Sequence, residues 1–281
     1  MTATLTQTQP SSAPRTPLPD DIRVTQLRVM RSEWHKFWSL RSSYFTLAAT
    51  LIAMIGFGGL FAAVTANRWP HMRPGEQAHF DPTAVSLRGF YLAQLVVGVL
   101  GVLIVTGEYS TGMIRSSLGA APRRLPVLVA KAVVFAVITL VVTVVTAVTA
   151  FFLGQFLLSS QHIETTIGAD GVARAVVGTA LYLTVVGLMG VGLGFVVRST
   201  AGAIASLFAI LLVLPVLGEA LPTDWATNID PYLPSNAGQQ LMVVHPDAAA
   251  LLGPWSGFAV FCGYTAVALI LGAVLLRRRD A

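Results

Sequence analysis

Charged side chains are scarce in this sequence. Lysine, arginine, aspartate and glutamate together make 11% of the 281 residues, against about 25% in an average soluble domain. A soluble fold of this length could not cover its surface with so few, which excludes most cytosolic enzymes and all disordered chains. Cysteine occurs once, as Cys262 inside the last apolar run. No disulfide framework and no cysteine-based metal site can therefore form within the chain, and Cys262 reads as a small core residue. Lysine is nearly missing: Lys36 and Lys131 stand against sixteen arginines. With abundant alanine and valine, that bias points to a GC-rich bacterial genome. A phosphate-cradling Gly-x4-Gly-Lys-Ser/Thr loop is absent, so any ATP would be bound by another polypeptide.

The apolar runs also lack ionisable residues near their middles. Only Arg174 and Glu219 come close, and both lie near the outer ends of their runs. Transporters driven by protons or sodium place acids or histidines at mid-membrane. Intramembrane proteases and transferases need converging His, Asp, Glu or Ser groups. Neither class fits, and no catalytic residue is expected. His71 and His79 share an outer loop with Glu76 and Asp81, but without HExxH-type spacing the loop reads as solvated and no metal site is expected.

What is present is hydrophobic length. The chain is 54% hydrophobic with a mean hydropathy of +0.71. Six stretches are long enough to cross about 30 Å of hydrocarbon, at about 45–66, 88–106, 131–158, 173–197, 200–221 and 255–276. Strand alternation is absent, so the fold class is an all-α polytopic membrane protein. The third stretch exceeds what a bilayer needs and must tilt or project. The fourth and fifth, joined through Arg198, Ser199 and Thr200, should pair tightly and antiparallel. Residues 1–20, rich in Thr, Ser, Pro and Gln, read as a disordered cytosolic tail rather than a signal peptide, and 277–281 as a basic cytosolic end.

The net charge is +5 and the pI about 9.8, a balance that here fits the bilayer surface and not nucleic acid. Placing the N-terminus inside puts fourteen Lys and Arg on the cytosolic side and four (Arg68, Arg73, Arg88 and Arg174) outside. The positive-inside rule then predicts cytosolic N- and C-termini.

Before the first span, residues 21–43 carry Leu27, Met30, Trp34, Phe37 and Trp38 at spacings of three and four. These define one apolar helical stripe, with Arg28, Glu33, His35 and Lys36 on the other face. A helix of this kind lies in the membrane interface. Between the second and third spans, Gly107, Gly112 and Gly119 permit bends, and Pro122 and Pro126 break helical continuation. Met113, Ile114 and Leu118 can form the apolar face of a two-turn helix. That face either docks on another protein or rests on lipid. Thr139, Thr143, Thr146 and Thr149 form a polar stripe on the third span, read as hydroxyls bonded to helix carbonyls. Gly190 and Gly194, with Gly187 and Gly192 nearby, read as a helix-packing surface within the subunit. The polar, Pro-rich segment 221–254 fits either short helices dipping into the outer leaflet or a plain loop.

The run Glu108-x-x-Thr111-Gly112-x-x-Arg115, followed by Pro122-Arg123-Arg124 and Lys131, resembles the loop of type-2 ATP-binding-cassette (ABC) exporter permeases. The order of elements over about 22–279 is similar as well, from interfacial helix to a last span ending in Arg277-Arg278-Arg279. The resemblance implies a cytosolic coupling helix that fits a groove on a separate ATPase and is braced by the interfacial helix. Carried onto this chain, Glu108, Thr111, Gly112, Met113, Ile114, Arg115 and Leu118 fall in the coupling element. It also implies ATP and Mg on the ATPase with no cofactor in this chain, a second permease subunit, and a bacterial inner membrane. The expected function is the permease subunit of an ABC exporter. The alternatives are a membrane anchor or scaffold without transport, or a secondary transporter. The substrate is not legible in the sequence.

Overall fold

In hydrocarbon every backbone N–H and C=O must be bonded within the protein, so long apolar runs without β-alternation are forced into helices. A computed structural model describes residues 25–112, 125–220, 222–246 and 250–278 and contains no strand among them. An amphipathic helix α1 (Gln26–Ser39) leads into six long apolar helices. These are α2 (Arg41–His71), α3 (Pro82–Ser110), α4 (Leu125–Gln161), α5 (Val172–Val197), α6 (Thr200–Glu219) and, after an intervening segment, α9 (Pro254–Arg278). Each is long and apolar enough to cross a bilayer, and each contains one of the six apolar stretches or nearly all of it. The chain is a multi-pass α-helical membrane protein by length and composition. The expected tail 1–20 and the loop residues Met113, Ile114, Arg115, Leu118, Pro122, Arg123 and Arg124 lie outside the described residues.

Helix α5 is the hub. Two thirds of its most apolar stretch (67%) is buried, against 22% for α6 and α9, and it packs on α3, α4 and α9. The close approach depends on glycine: a Cβ at Gly101 of α3 would collide with the carbonyl oxygen of Gly187, and one at Gly190 would press on that of Gly98. The glycines thus serve packing inside the subunit. On the threonine stripe of α4, the hydroxyls of Thr143, Thr146 and Thr149 bond helix carbonyls, whereas Thr139 Oγ1 is buried without a partner among the described residues. Thr143 Oγ1 donates to the carbonyl of Thr139 (2.8 Å) or of Ala180 on α5 (3.1 Å), and Thr146 bonds the Thr143 carbonyl at 3.0 Å. Cys262 is half-buried against the main apolar core.

Two helices contain a π-helical turn, Ile52–Gly56 in α2 and Ala209–Val213 in α6, the second ending two residues before Pro215. The segment between α6 and α9 folds into short helices α7 (Thr223–Ile229) and α8 (Pro234–Gln239). Ala237 and Leu241 are fully buried, and Arg174 donates to the carbonyls of Val243 and Val244, both at 2.9 Å. The segment is therefore packed onto the bundle and is not a plain loop.

Candidate functional site: an ion cluster joining α1, α3 and α4

Helix α1 starts at the N-cap Thr25 and stops at Leu40, whose extended backbone (φ −86°, ψ 118°) turns the chain into α2. Its expected apolar stripe does not face the bundle as one surface. Leu27 is 75% exposed and Trp34 is also exposed, while Phe37 is buried and Met30 and Trp38 are half-buried. The face that docks on the bundle is rotated by about a quarter turn from the stripe. It carries Glu33, which is 4% exposed. Glu33 was expected among the outward residues of the polar face. It turns inward because partners of opposite charge wait there.

Those partners come from the helix ends on either side of the 113–124 segment. Lys131, in the second turn of α4, donates to Glu33 Oε2 at 2.6 Å and to Glu108 Oε1 at 2.9 Å. Lys36, one turn along α1, reaches Glu33 Oε1 at 2.7 Å and Glu108 Oε1 at 3.4 Å. Among the described residues, two carboxylates and two ammonium groups are thus joined in one cluster that ties α1, α3 and α4 together, with Glu108 Oε2 buried and unbonded. Glu108 and Lys131 are 8% and 3% exposed. The resemblance places Glu108 in a coupling element; its side chain points into the bundle, where it supplies the second carboxylate against the two ammonium groups of Lys36 and Lys131.

The electrostatics follow from this geometry. Burial alone would raise the Glu33 carboxyl, but the Lys131 charge and hydrogen bond, with those of Lys36, outweigh it and hold its pKa below the ordinary value. For Lys36, burial pulls the pKa down, and the Glu33 and Glu108 carboxylates outweigh that and raise it. Both charged forms are favoured.

The chain leaves α3 directly beside the cluster. Thr111 Oγ1 donates to the Gly107 carbonyl at 2.9 Å. Gly112 then adopts φ +71°, the left-handed C′ position that glycine fills without a Cβ clash. On the other side, Gln26 Nε2 donates to the Pro126 carbonyl at 3.1 Å and fastens α1 to the start of α4. Arg198, at the α5–α6 turn, stacks on Tyr109 with its guanidinium carbon 5.2 Å from the ring centroid and donates to the Leu275 carbonyl at 3.3 Å. Both ends of the 113–124 segment are thus clamped to the rest of the bundle. Of the expected coupling residues, Glu108, Thr111 and Gly112 fall at this clamp. The others lie outside the described residues.

Lys36 and Lys131 belong to the site as closely as Glu108, and sequence reasoning gave neither that weight. The available signal was their rarity, since both lysines of the chain are in the cluster. Among the described residues no three His, Cys, Asp or Glu converge as metal ligands.

Six bilayer-length helices define a polytopic α-helical membrane protein, and at one end of the bundle an ion cluster joins α1, α3 and α4. The sequence matches no protein-family model and none of the curated proteins.

Proposed function

We propose that this chain is the membrane-spanning permease subunit of an ATP-driven ABC exporter, with ATP and Mg bound by a separate ATPase chain. The observation that carries the reading is the clamp. A segment with the Glu-x-x-Thr-Gly-x-x-Arg pattern of a coupling loop leaves and rejoins the bundle at a buried cluster of four charges. Force applied to that segment reaches α1, α3 and α4 together, as coupling to an external motor requires. In this reading α1 is the interfacial helix, with Leu27 and Trp34 facing lipid, and the clamp end is cytosolic. Both chain termini then lie in the cytosol of a bacterial cell, and the membrane is its inner membrane. Protease protection of terminal tags in inverted vesicles tests that orientation. The exposed apolar face of α6, with Val213, Val216 and Leu217, would be covered by a second permease subunit.

The test is assembly. Ile114→Asp with Leu118→Asp should abolish co-purification with the ATPase and stop transport, while the permease still inserts. Each fully buried large apolar side chain contributes roughly 1.5–3 kcal/mol, so losing two dissolves a small contact. Retained ATPase binding by the double variant would overturn the reading. Bound ATPase with no transport by the wild-type pair would leave a scaffold.

A further inference from the structure

At the end of the bundle away from the ion cluster, a cavity of about 750 Å³ opens between the end of α2, the 72–81 loop and the start of α3. The loop is folded back on α2: Trp69 packs on Phe80 with ring centroids 4.9 Å apart, and Gln77 Nε2 donates to the Trp69 carbonyl at 3.0 Å. Arg68, His71, His79 and Arg88 line the cavity, with Glu76 and Asp81. The two acids are already engaged. Asp81 Oδ1 accepts from the Thr83 and Ala84 amides at 2.8 and 3.1 Å, and Glu76 Oε2 from the Arg73 amide at 3.4 Å. Among the described residues no carboxylate pairs with Arg68 or Arg88, and neither side chain has a hydrogen-bond acceptor. The Arg88 guanidinium instead rests over the Phe61 ring at 5.5 Å. The cavity therefore presents two guanidinium groups that no carboxylate pairs directly, beside two carboxylates held by backbone amides, and the guanidiniums stand at different heights, since Phe61 lies seven residues, about 10 Å, below Arg68 along α2.

Height identifies the ligand. Arg88 stands twenty residues before Glu108 along α3, about 30 Å at the helical rise. That equals the thickness of the hydrocarbon, so Arg88 lies at the opposite headgroup level from the ion cluster. Arg88 caps the short helix Pro82–Leu87, at the turn that precedes the helix Phe90–Ser110. Below it, Phe57, Leu60, Phe61 and Val64 repeat at i, i+3, i+4 and i+7 and are all exposed, an apolar track for an acyl chain. Guanidinium groups recognise phosphate oxygens bidentately and at full charge.

We propose that this cavity binds a phosphate group, presented as the headgroup of an anionic phospholipid whose chains run along α2. The site does not depend on the ABC reading. The test is native mass spectrometry of the full chain exchanged out of phosphatidylcholine vesicles with and without phosphatidylglycerol. Wild type should retain phosphatidylglycerol in preference to phosphatidylcholine. Arg68→Gln with Arg88→Gln, which removes both guanidinium groups, should lower that retention by at least about tenfold. Arg88→Lys, which keeps the charge but loses the planar fork, should fall between wild type and the double variant. Arg73→Gln, in the same loop but outside the cavity lining, should retain all of it. Each variant is first shown to elute as wild type does by size exclusion, and Arg68→Gln alone, at the exposed rim, serves if the double variant does not fold. Equal retention by the charge-removing variants, or equal loss in Arg73→Gln, would overturn the site. Displacement of the lipid by millimolar inorganic phosphate would overturn the lipid as its occupant, leaving a free-anion site.

Discussion

Replacing Lys131 with Met tests whether the ion cluster works by electrostatics. The substitution preserves most of the side-chain volume but leaves the two carboxylates of the cluster with one ammonium group. Glu33, 4% exposed, and Glu108, 8% exposed, then share Lys36 alone. Breaking a buried ion pair by removing one partner typically costs about 3–5 kcal/mol. An independent bound agrees. The cheapest relief is to protonate one carboxyl, and from the ordinary value of 4.5 that costs about 3.4 kcal/mol at pH 7, at about 1.36 kcal/mol per unit. At pH 5 the same step costs only about 0.7 kcal/mol. Thermal unfolding in detergent, followed by circular dichroism, should therefore show a drop on the order of 10 °C at pH 7 that shrinks to a small fraction at pH 5. Adding Glu33→Gln to Lys131→Met should recover at least half the loss at pH 7, because it restores one carboxylate to one ammonium. A defect equal at both pH values, or a double variant no better than the single one, would show that the lysine acts through packing and would refute the electrostatic account.

Wild-type stability should respond to pH at the two extremes. The lowered Glu33 value makes its contribution present above about 4.5 and lost as pH falls through the lower folded value, and the raised Lys36 value makes its contribution present below about 10.5 and lost as pH rises through the higher one. A melting-temperature series should be flat with respect to this cluster in between, and a steep fall between pH 6 and 8 would contradict it. Thr143→Val removes a hydroxyl bonded to α4 and α5 carbonyls and should cost about 0.6 kcal/mol, the average for interhelical hydrogen bonds in membranes, with partner binding unchanged in co-purification. Gly101→Leu, driven against the Gly187 carbonyl, should cost more than about 3 kcal/mol and give aggregated material on size exclusion. Gly263→Leu, where an added Cβ meets nothing within 4 Å, should elute as wild type.

The long helices were legible because each is written in contiguous sequence: about twenty apolar residues in a row leave the backbone no alternative in lipid. The glycine reading, and the threonine reading apart from Thr139, worked for the same local reason. The ion cluster was not legible, because its bonds join residues 23, 72 and 98 positions apart, with only Lys36–Glu33 local. Helical periodicity put Glu33 on the polar face of α1, which is correct for the isolated helix. It carries no information about which edge of that face meets Lys131. The segment between α6 and α9 was ambiguous because Leu241 and Ala237 are too few to form a periodic signal. They are buried only because Tyr182, Phe261 and Gly178 present a complementary floor.

The glycine seams around α5 also determine where the molecule can deform. Where backbone lies directly on backbone, sliding or rotating one helix drives carbonyl oxygens into Cα atoms, so α3, α5 and α9 move as one stiff spine. The compliant parts are α2 and α6, which each carry a π-helical turn, the loosest hydrogen-bonding pattern a helix tolerates. A π turn can migrate along its helix by exchanging one carbonyl acceptor at a time, re-aiming the segment beyond it without breaking the spine. Amide hydrogen exchange should resolve this as slow protection throughout α5 and fast, local opening at Ile52–Gly56 and Ala209–Val213. The molecule is therefore built less like a pore with a gate than like a beam with two hinged flanks.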